Sequence, residues 1–395
     1  MNNKIKLAVA GAVLASASVA NAGITWDAGE WTVDMNGNVN AFAIVADNKD
    51  TAQAQGALTN IESNDSTATS INTGLLPSWL GFTATTRQND IDTSVTISFQ
   101  PGASTTGALA GGGGAEQRQA FLTFGDKSWG SVKVGKDLGI FGSTAILNDM
   151  TLLGVGAGSV TAGNTTTLGR IGTGYVYADW IGQIAYTTPN MNGFQATVGI
   201  TQPWNAEGDG VTSARSTGGS DNFAYEGQAS YSWTGDFAGK AWVGAFYQDV
   251  TGLTADNLDE DAQAFEAGIA TTVMNIGLTA YAYSGEGVGT TGMLVNGFDS
   301  DGNKRDSDGG YVQATYVIPT GTKLGVSYGM SKLDDNAGDA ANNLVKENTM
   351  LTVGAYHPLT KHLNLVAEFS NVESKNNIGQ SNESDTIALG AILFF

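Results

Sequence analysis

The chain has 395 residues, a formal charge of −20, 54 glycines, six prolines and no cysteine. That length is too great for one small β-sandwich and asks for several domains or one large closed architecture. The missing cysteine excludes a disulfide framework and thiolate metal sites, and an acidic chain with no basic stripe to displace counterions excludes a nucleic-acid partner.

The first element is a leader. "MNNKIK" is a short basic region, "LAVAGAVLASASVA" an apolar run and "ANA" a small-residue cleavage site before Gly23. The apolar run is shorter than the ~20 residues of a spanning helix, so residues 1–22 are read as a signal peptide and 23–395 as the exported domain. Losing Lys4 and Lys6 takes the remainder to about −22. No later stretch is long and apolar enough for a transmembrane helix.

From there the chain alternates. In "WTVDMNGNVNAFAIV" (31–45) the odd positions run Trp31, Val33, Met35, Gly37, Val39, Ala41, Ala43, Val45, against Thr32, Asp34, Asn36, Asn38 and Asn40. Period two is a β-strand with one apolar and one wet face. "SVTISFQ" (94–100), "FAYEGQASYSW" (223–233), "KLGVSYGM" (323–330), "HLNLVAEFS" (362–370) and the closing "TIALGAILFF" repeat the pattern. Short turns fall at 87–90, 126–130, 189–193, 234–240, 274–275, 319–322 and 358–361. Long polar segments fall between them at 46–76, 101–116, 138–179, 203–222, 251–261, 285–309, 333–346 and 374–384. Seven turns and eight loops give about sixteen strands, the even number an outer-membrane barrel requires.

The wet faces carry Asp34, Arg118, Glu226, Glu266 and Glu368. A packed core could not hold so many charges, whereas a water-filled lumen can. Aromatics near strand ends (Trp31, Tyr186, Phe194, Trp233, Phe369, Phe395) suit interfacial girdles. A secreted soluble β-rich surface or adhesin protein would also explain the leader, the acidity and the Ser/Thr/Asn-rich loops. It does not explain the alternation of short and long connections or the terminal Phe395.

Three stretches carry a family resemblance: "RQAFLTFGDKSWGSVKVGKD" (118–137), "IGQIAYTTPNMNGFQATVGI" (181–200) and the last strand ending in Phe395. Together with the leader they resemble the trimeric general porins of Gram-negative outer membranes. The resemblance implies a 16-stranded antiparallel barrel, a homotrimer in lipid and lipopolysaccharide, and passive diffusion of small hydrophilic solutes. It also implies that Phe395 is read by the barrel-assembly machinery, that no cofactor is needed, and that the third loop, here 138–179, folds into the lumen. A substrate-selective porin with a dedicated binding site is the alternative within transport.

That loop contains "ILNDMTLLGVG", whose apolar side chains gain nothing in a solvated exterior loop and would be buried against the inner wall or another subunit. Asp149 in its middle is the first candidate for a pore-facing carboxylate. With Phe121, Val132 and Val134 taken as lipid-facing, Arg118 and Lys133 point inward; Asp137 and Asp179 flank the loop and complete the expected constriction. Arg87 also has lumen parity, at a periplasmic turn. The family's usual second-strand arginine is replaced by Trp79, the sixth strand reads "YADWIG", and the usual Pro-Glu-Phe-Gly-Gly loop motif is missing. A thin basic wall and an acidic total favour cations.

Other chemistry is sparse. His357 and His362 flank the turn "HPLTKH" with no serine partner placed for hydrolysis, so no enzyme is expected. In "FDSDGNKRDSDGG" (298–310), Asp299, Asp301 and Asn303 alternate as calcium ligands do, with Gly302 for a tight turn, but the terminal Glu of the full motif is absent. "ALAGGGGAE" (108–116) is a flexible stretch of the second loop, and "TAQAQGALTNIESNDSTATS" (51–70) a low-complexity surface loop.

Overall fold

The computed structural model describes residues 23–49, 55–58, 67–103, 115–160, 166–207, 222–253, 258–336, 339 and 344–395. The leader, the four-glycine tip of "ALAGGGGAE" and most of 51–66 lie outside them. No helix among the described residues is long and apolar enough to cross a membrane; the wall is made of strands.

Sixteen strands, the second in two pieces, form that wall: β1 (Trp31–Asn48), β2 (Thr67–Asn72 and Trp79–Gln88), β3 (Ile91–Pro101), β4 (Ala120–Asp126), β5 (Gly130–Leu138), β6 (Trp180–Thr187), β7 (Phe194–Thr201) and β8 (Ala224–Trp233), then β9 (Phe237–Val250), β10 (Glu260–Val273), β11 (Ile276–Glu286), β12 (Asp306–Val317), β13 (Lys323–Leu333), β14 (Val345–Pro358), β15 (Leu363–Asn376) and β16 (Ser381–Phe394). Each is antiparallel to the next. β16 returns to β1, from Asn38 opposite Phe394 to Asn48 opposite Ser384, while both pieces of β2 hold the other edge of β1. The barrel is therefore closed, which leaves no strand edge unpaired in lipid. A short strand, Ile24–Ala28, continues the β16 side of the seam against Trp31–Met35, and Phe395 and Gly37 exchange N–H···O bonds of 2.9 and 3.0 Å.

The outward faces match the alternation. Val39, Val95, Ile97, Phe99, Val198, Val243, Val326, Ile387 and Leu389 are all exposed, as lipid-facing residues are in an isolated protomer. Trp129, Tyr186, Phe194, Tyr231 and Phe237 gather near the turns, and Tyr225 and Tyr247 higher up, as interfacial girdles do.

Six of the seven short turns lie where the sequence puts them; the seventh, read at 234–240, is shorter, because β9 begins at Phe237 and takes in Lys240. The β2–β3 hairpin turns on Asn89 and Asn-like Asp90, both at positive φ (49° and 62°), the conformation that a two-residue hairpin demands. The eighth loop is a correction. The polar run 374–384 is not a long loop, because β15 and β16 stay paired as far as Lys375 and Ser381, leaving 377–380 as the connection. Above the membrane a strand has no need of an apolar face, so its polar residues read as loop. The same effect hides Thr67–Asn72 inside the segment 46–76.

Candidate functional site

The third loop, described at 139–160 and 166–179, packs against inward-facing side chains of the wall. It contains a helical turn α1 (Ser143–Asn148), a 3-10 turn (Met150–Leu153) and a small hairpin of Ala157–Val160 with Thr167–Gly169. Its apolar side chains are buried as the composition suggests. Phe141, Ala145, Ile146 and Leu152 pack with Trp242, Phe246, Tyr281 and Tyr311 of the wall, and Met150, Leu153 and Val155 with Phe42, Ile44 and Tyr356.

Three wall carboxylates hold this loop. Glu226 accepts from the backbone N–H groups of Ile140 (2.6 Å) and Phe141 (2.9 Å). Glu266 accepts from Gly142 N–H (3.0 Å), Tyr281 OH (2.9 Å) and the Gln228 amide (3.1 Å). Glu368 accepts from the N–H groups of Val155 (2.7 Å) and Gly156 (2.9 Å) and from Tyr356 OH (2.6 Å). Gln313 adds a two-way amide clamp, accepting from Met150 N–H at 2.6 Å and donating to Asn148 C=O at 3.1 Å. All three glutamates point inward as their parity requires, but they are buried beneath the loop rather than standing free in the pore. Glycine clears the way for it on β13. A Cβ at Gly325 would stand 2.7 Å from Met150 Sδ, and one at Gly329 would strike the Thr173 carbonyl oxygen.

Asp149 is not a free pore carboxylate. Its side chain has no exposed surface; it accepts from Thr151 N–H (2.9 Å), Thr151 OH (2.6 Å) and Tyr175 OH (2.9 Å), with Arg170 Nε at 3.9 Å. Arg170, which sequence reasoning missed, donates to the carbonyls of Ser327 (3.2 Å) and Met350 (3.0 Å) and so ties the loop to β13 and β14. Asp149 and Arg170 hold the loop together from within.

The open lumen is lined elsewhere. Arg118, Lys133, Asp137 and Asp179 line it together with Tyr177, Trp180 and the loop's Leu147 and Asn148. Lys133 is paired with Asp137, which also accepts from Gln119 at 3.1 Å. Arg118 Nε donates to Glu116 at 2.7 Å, and the guanidinium lies over the Trp180 ring at 5.9 Å. The route to Arg118 differs from the parity argument: Phe121 faces the lumen, under Lys133 Nζ at 5.1 Å, and Leu122 faces lipid. Arg118 turns inward because it precedes β4, in an irregular stretch whose N–H donates to the Gln100 side chain at 3.0 Å. Burial raises the Asp179 carboxyl above the ordinary range, against the pull of Arg118, and burial pushes the Tyr177 phenol up to about 12. Asp34 lines the lumen, bonded to Asn36. Arg87 stays at the turn-side rim, between Asp92 (2.8 Å) and Asp126 (3.0 Å). Lys240 and Lys323 also line the lumen and were not singled out, although inward parity beside Trp242 and Gly325 was there to read.

The alternating acids at 299–303 form a hydrogen-bonded turn. Asp299 accepts from the N–H groups of Asp301 (2.9 Å) and Asn303 (2.8 Å) and from the side-chain amides of Asn303 (3.0 Å) and Asn336 (3.2 Å), so donors occupy both its oxygens. No group of three or more His, Asp or Glu placed to hold a metal ion occurs among the described residues. Nearby, buried Arg305 grips Asp339 through two nitrogens and donates to the carbonyls of Asn296 (3.0 Å) and Phe298 (2.6 Å). Burial opposes ionisation of Asp339, but the Arg305 bonds prevail and hold its carboxyl below the usual range. The stability this gives is present above the ordinary carboxylate pKa and is lost only as pH falls through the lowered value. Arg305→Ala leaves Asp339 unpaired at a cost of about 3 kcal/mol or more, so limited proteolysis should cut the variant within 287–305 at neutral pH and the parent only in stronger acid.

A closed barrel, a loop pinned inside it and a polar passage beside that loop are the parts of a channel. The sequence profile of the Gram-negative porins matches residues 8–377. The chain belongs to the Gram-negative porin family. As a porin it resides in the outer membrane and is a channel rather than an enzyme. Solved structures resemble it over nearly its full length. The outer-membrane channel DcaP of Acinetobacter baumannii is 20% identical, with a TM-score of 0.69 over 95% of this chain and 100% of that one. The anion-selective porin of Comamonas acidovorans is 15% identical, with 0.64 over 93% and 100%. The trimer form of Vibrio cholerae OmpT is 16% identical, with 0.55 over 93% and 100%. At these identities the likeness is one of fold. A search of curated proteins finds no match.

Proposed function

We propose that this porin is a passive channel for small hydrophilic solutes and ions, and that its cation preference arises at the loop-side mouth rather than at the constriction. The observation that carries the reading is how charge is distributed. In the narrow region the charges are largely paired off: Lys133 with Asp137, Arg118 with Glu116, Asp149 within its own network. At the mouth three lysines are each shared among several acids. Lys49 meets Glu383 (3.1 Å) and Asp385 (2.6 Å); Lys304 meets Asp261 (2.9 Å), Glu286 (3.4 Å) and Glu260 (3.8 Å); Lys375 meets Glu373 (3.0 Å) and Glu347 (3.7 Å). An acidic surplus remains there and concentrates cations. In this reading the sequence-based pore set (Asp149, Asp137, Arg118, Lys133, Asp179) divides by role: Asp149, whose side chain is buried, supports the loop, and the other four offer their charges to the passage.

Export by the leader 1–22, a homotrimer, lipopolysaccharide around the mouth and recognition of Phe395 by the barrel-assembly machinery belong to the same reading; the OmpT trimer form supports the assembly. The test is the reversal potential across a planar bilayer under a KCl gradient. A preference made at the mouth should be clear at ~0.01 M salt, where screening reaches ~30 Å, and should fade towards 1 M, where it reaches ~3 Å. Anion preference at low salt would refute it. Asp149→Asn should leave the preference unchanged. A flux that saturates with one solute would instead favour the substrate-selective alternative.

A further inference from the structure

Two cations in the lumen stand outside the pairing just described. Lys240 of β9 and Lys323 of β13 face inward, with outward neighbours Ala241 and Leu324, and both line the open passage. Neither has a carboxylate within ion-pair distance among the described residues, whereas the other bases lining the passage, Arg118 and Lys133, each have one. Lys323 rests over the Tyr356 ring at 5.0 Å. The nearby wall acids are already engaged: Glu266 by Gly142, Tyr281 and Gln228, and Glu368 by Val155, Gly156 and Tyr356.

Both lysines lie near the turn-side ends of their strands, Lys240 four residues into β9 and Lys323 the first residue of β13. Lys240 lies opposite Ala270, Ala270 opposite Thr279, and Thr279 opposite Gln313, the residue that clamps Asn148 and Met150. Lys323 lies two residues turn-ward of Gly325, against which Met150 packs. Four strand spacings and a four-residue offset in register separate them, about 23 Å along the wall, so they are two stations rather than one pocket. Thr272, Asn275, Thr315, Ser232 and Gln195 line the same half of the passage and supply neutral hydrogen-bonding groups.

We propose that Lys240 and Lys323 form a cationic strip beneath the third loop that holds small polyvalent anions entering from the turn side. The strip rests on the pore reading and deepens it. The passage is acidic at its loop-side mouth and basic below the constriction, so a polyvalent anion is repelled from one side and received from the other.

The experiment is citrate block of potassium current through single insertions of the full-length protein in planar bilayers. Citrate should reduce the current from one chamber only in each insertion. Lys240→Gln and Lys323→Gln should each raise the half-blocking concentration about threefold, and the double variant about tenfold, as expected for two partly exposed charges acting independently. Lys332→Gln, towards the loop-side end of β13, should leave it unchanged. Absence of block in the parent, equal block from both chambers, or an unchanged half-blocking concentration in the double variant would overturn the proposal. Conductance steps of parental size in the double variant would show that the pore reading survives such a failure.

Discussion

Replacing Glu226 and Glu368 together by alanine is expected to free the third loop and give a channel of larger, noisier conductance. These two carboxylates take four backbone N–H groups of the loop, at Ile140, Phe141, Val155 and Gly156, and Glu368 also takes the Tyr356 hydroxyl. Each donor left buried without an acceptor costs about 1–3 kcal/mol. Glu368→Ala alone therefore removes several kcal/mol from the anchorage of the middle of the loop, and the double variant loosens both its start and its middle. The barrel ladder makes none of these bonds, so the protein should still migrate as a heat-modifiable species. Glu→Gln at the same positions keeps one carbonyl acceptor and should have a smaller effect. Unaltered conductance in the double alanine variant would mean that these carboxylates do not position the loop.

Gly37→Val is expected to prevent the barrel from closing. Gly37 lies at the seam, exchanging backbone bonds with Phe395 on one side and facing Leu80 on the other. A Cβ there would strike the Trp79 carbonyl oxygen and stand 2.9 Å from Phe395 Cζ. Backbone cannot yield as a flexible side chain can, and overpacking of this kind costs about 1–3 kcal/mol or more. It falls where β1 meets both β2 and the chain's last residue, so heat-modifiable protein should be lost and the chain degraded. Gly182→Val is the control: β6 offers its Cβ open space, with nothing within 4 Å, and the variant should assemble normally.

The wall was legible because period two is written by side chains that meet either lipid or water, and the turns because Asn, Asp and Gly mark them. What the alternation concealed is the inner packing. Phe42 and Ile44 sit at inward positions of "AFAIV" and are almost fully buried beneath the third loop; on the sequence alone they only blur the pattern. The inward parity of Glu226, Glu266 and Glu368 could be read, but their partners are backbone N–H groups, which any residue supplies and no sequence records. Asp149 drew attention as an acid in an apolar run, yet an acid so placed is buried unless something lifts it out, and here Thr151, Tyr175 and Arg170 surround it. Lys240 and Lys323 were overlooked because unpaired cations can be recognised only once the positions of the acids are known.

The central claim is that a closed barrel carries an open, loop-narrowed passage for small hydrophilic solutes. Swelling of liposomes holding the purified protein, in sugars of increasing size, tests it most directly. The swelling rate should rise linearly with the solute gradient, fall steeply with sugar size, and reach larger sugars when Glu226 and Glu368 are both alanine. No swelling from folded, heat-modifiable protein, or a size limit indifferent to those two substitutions, would contradict it.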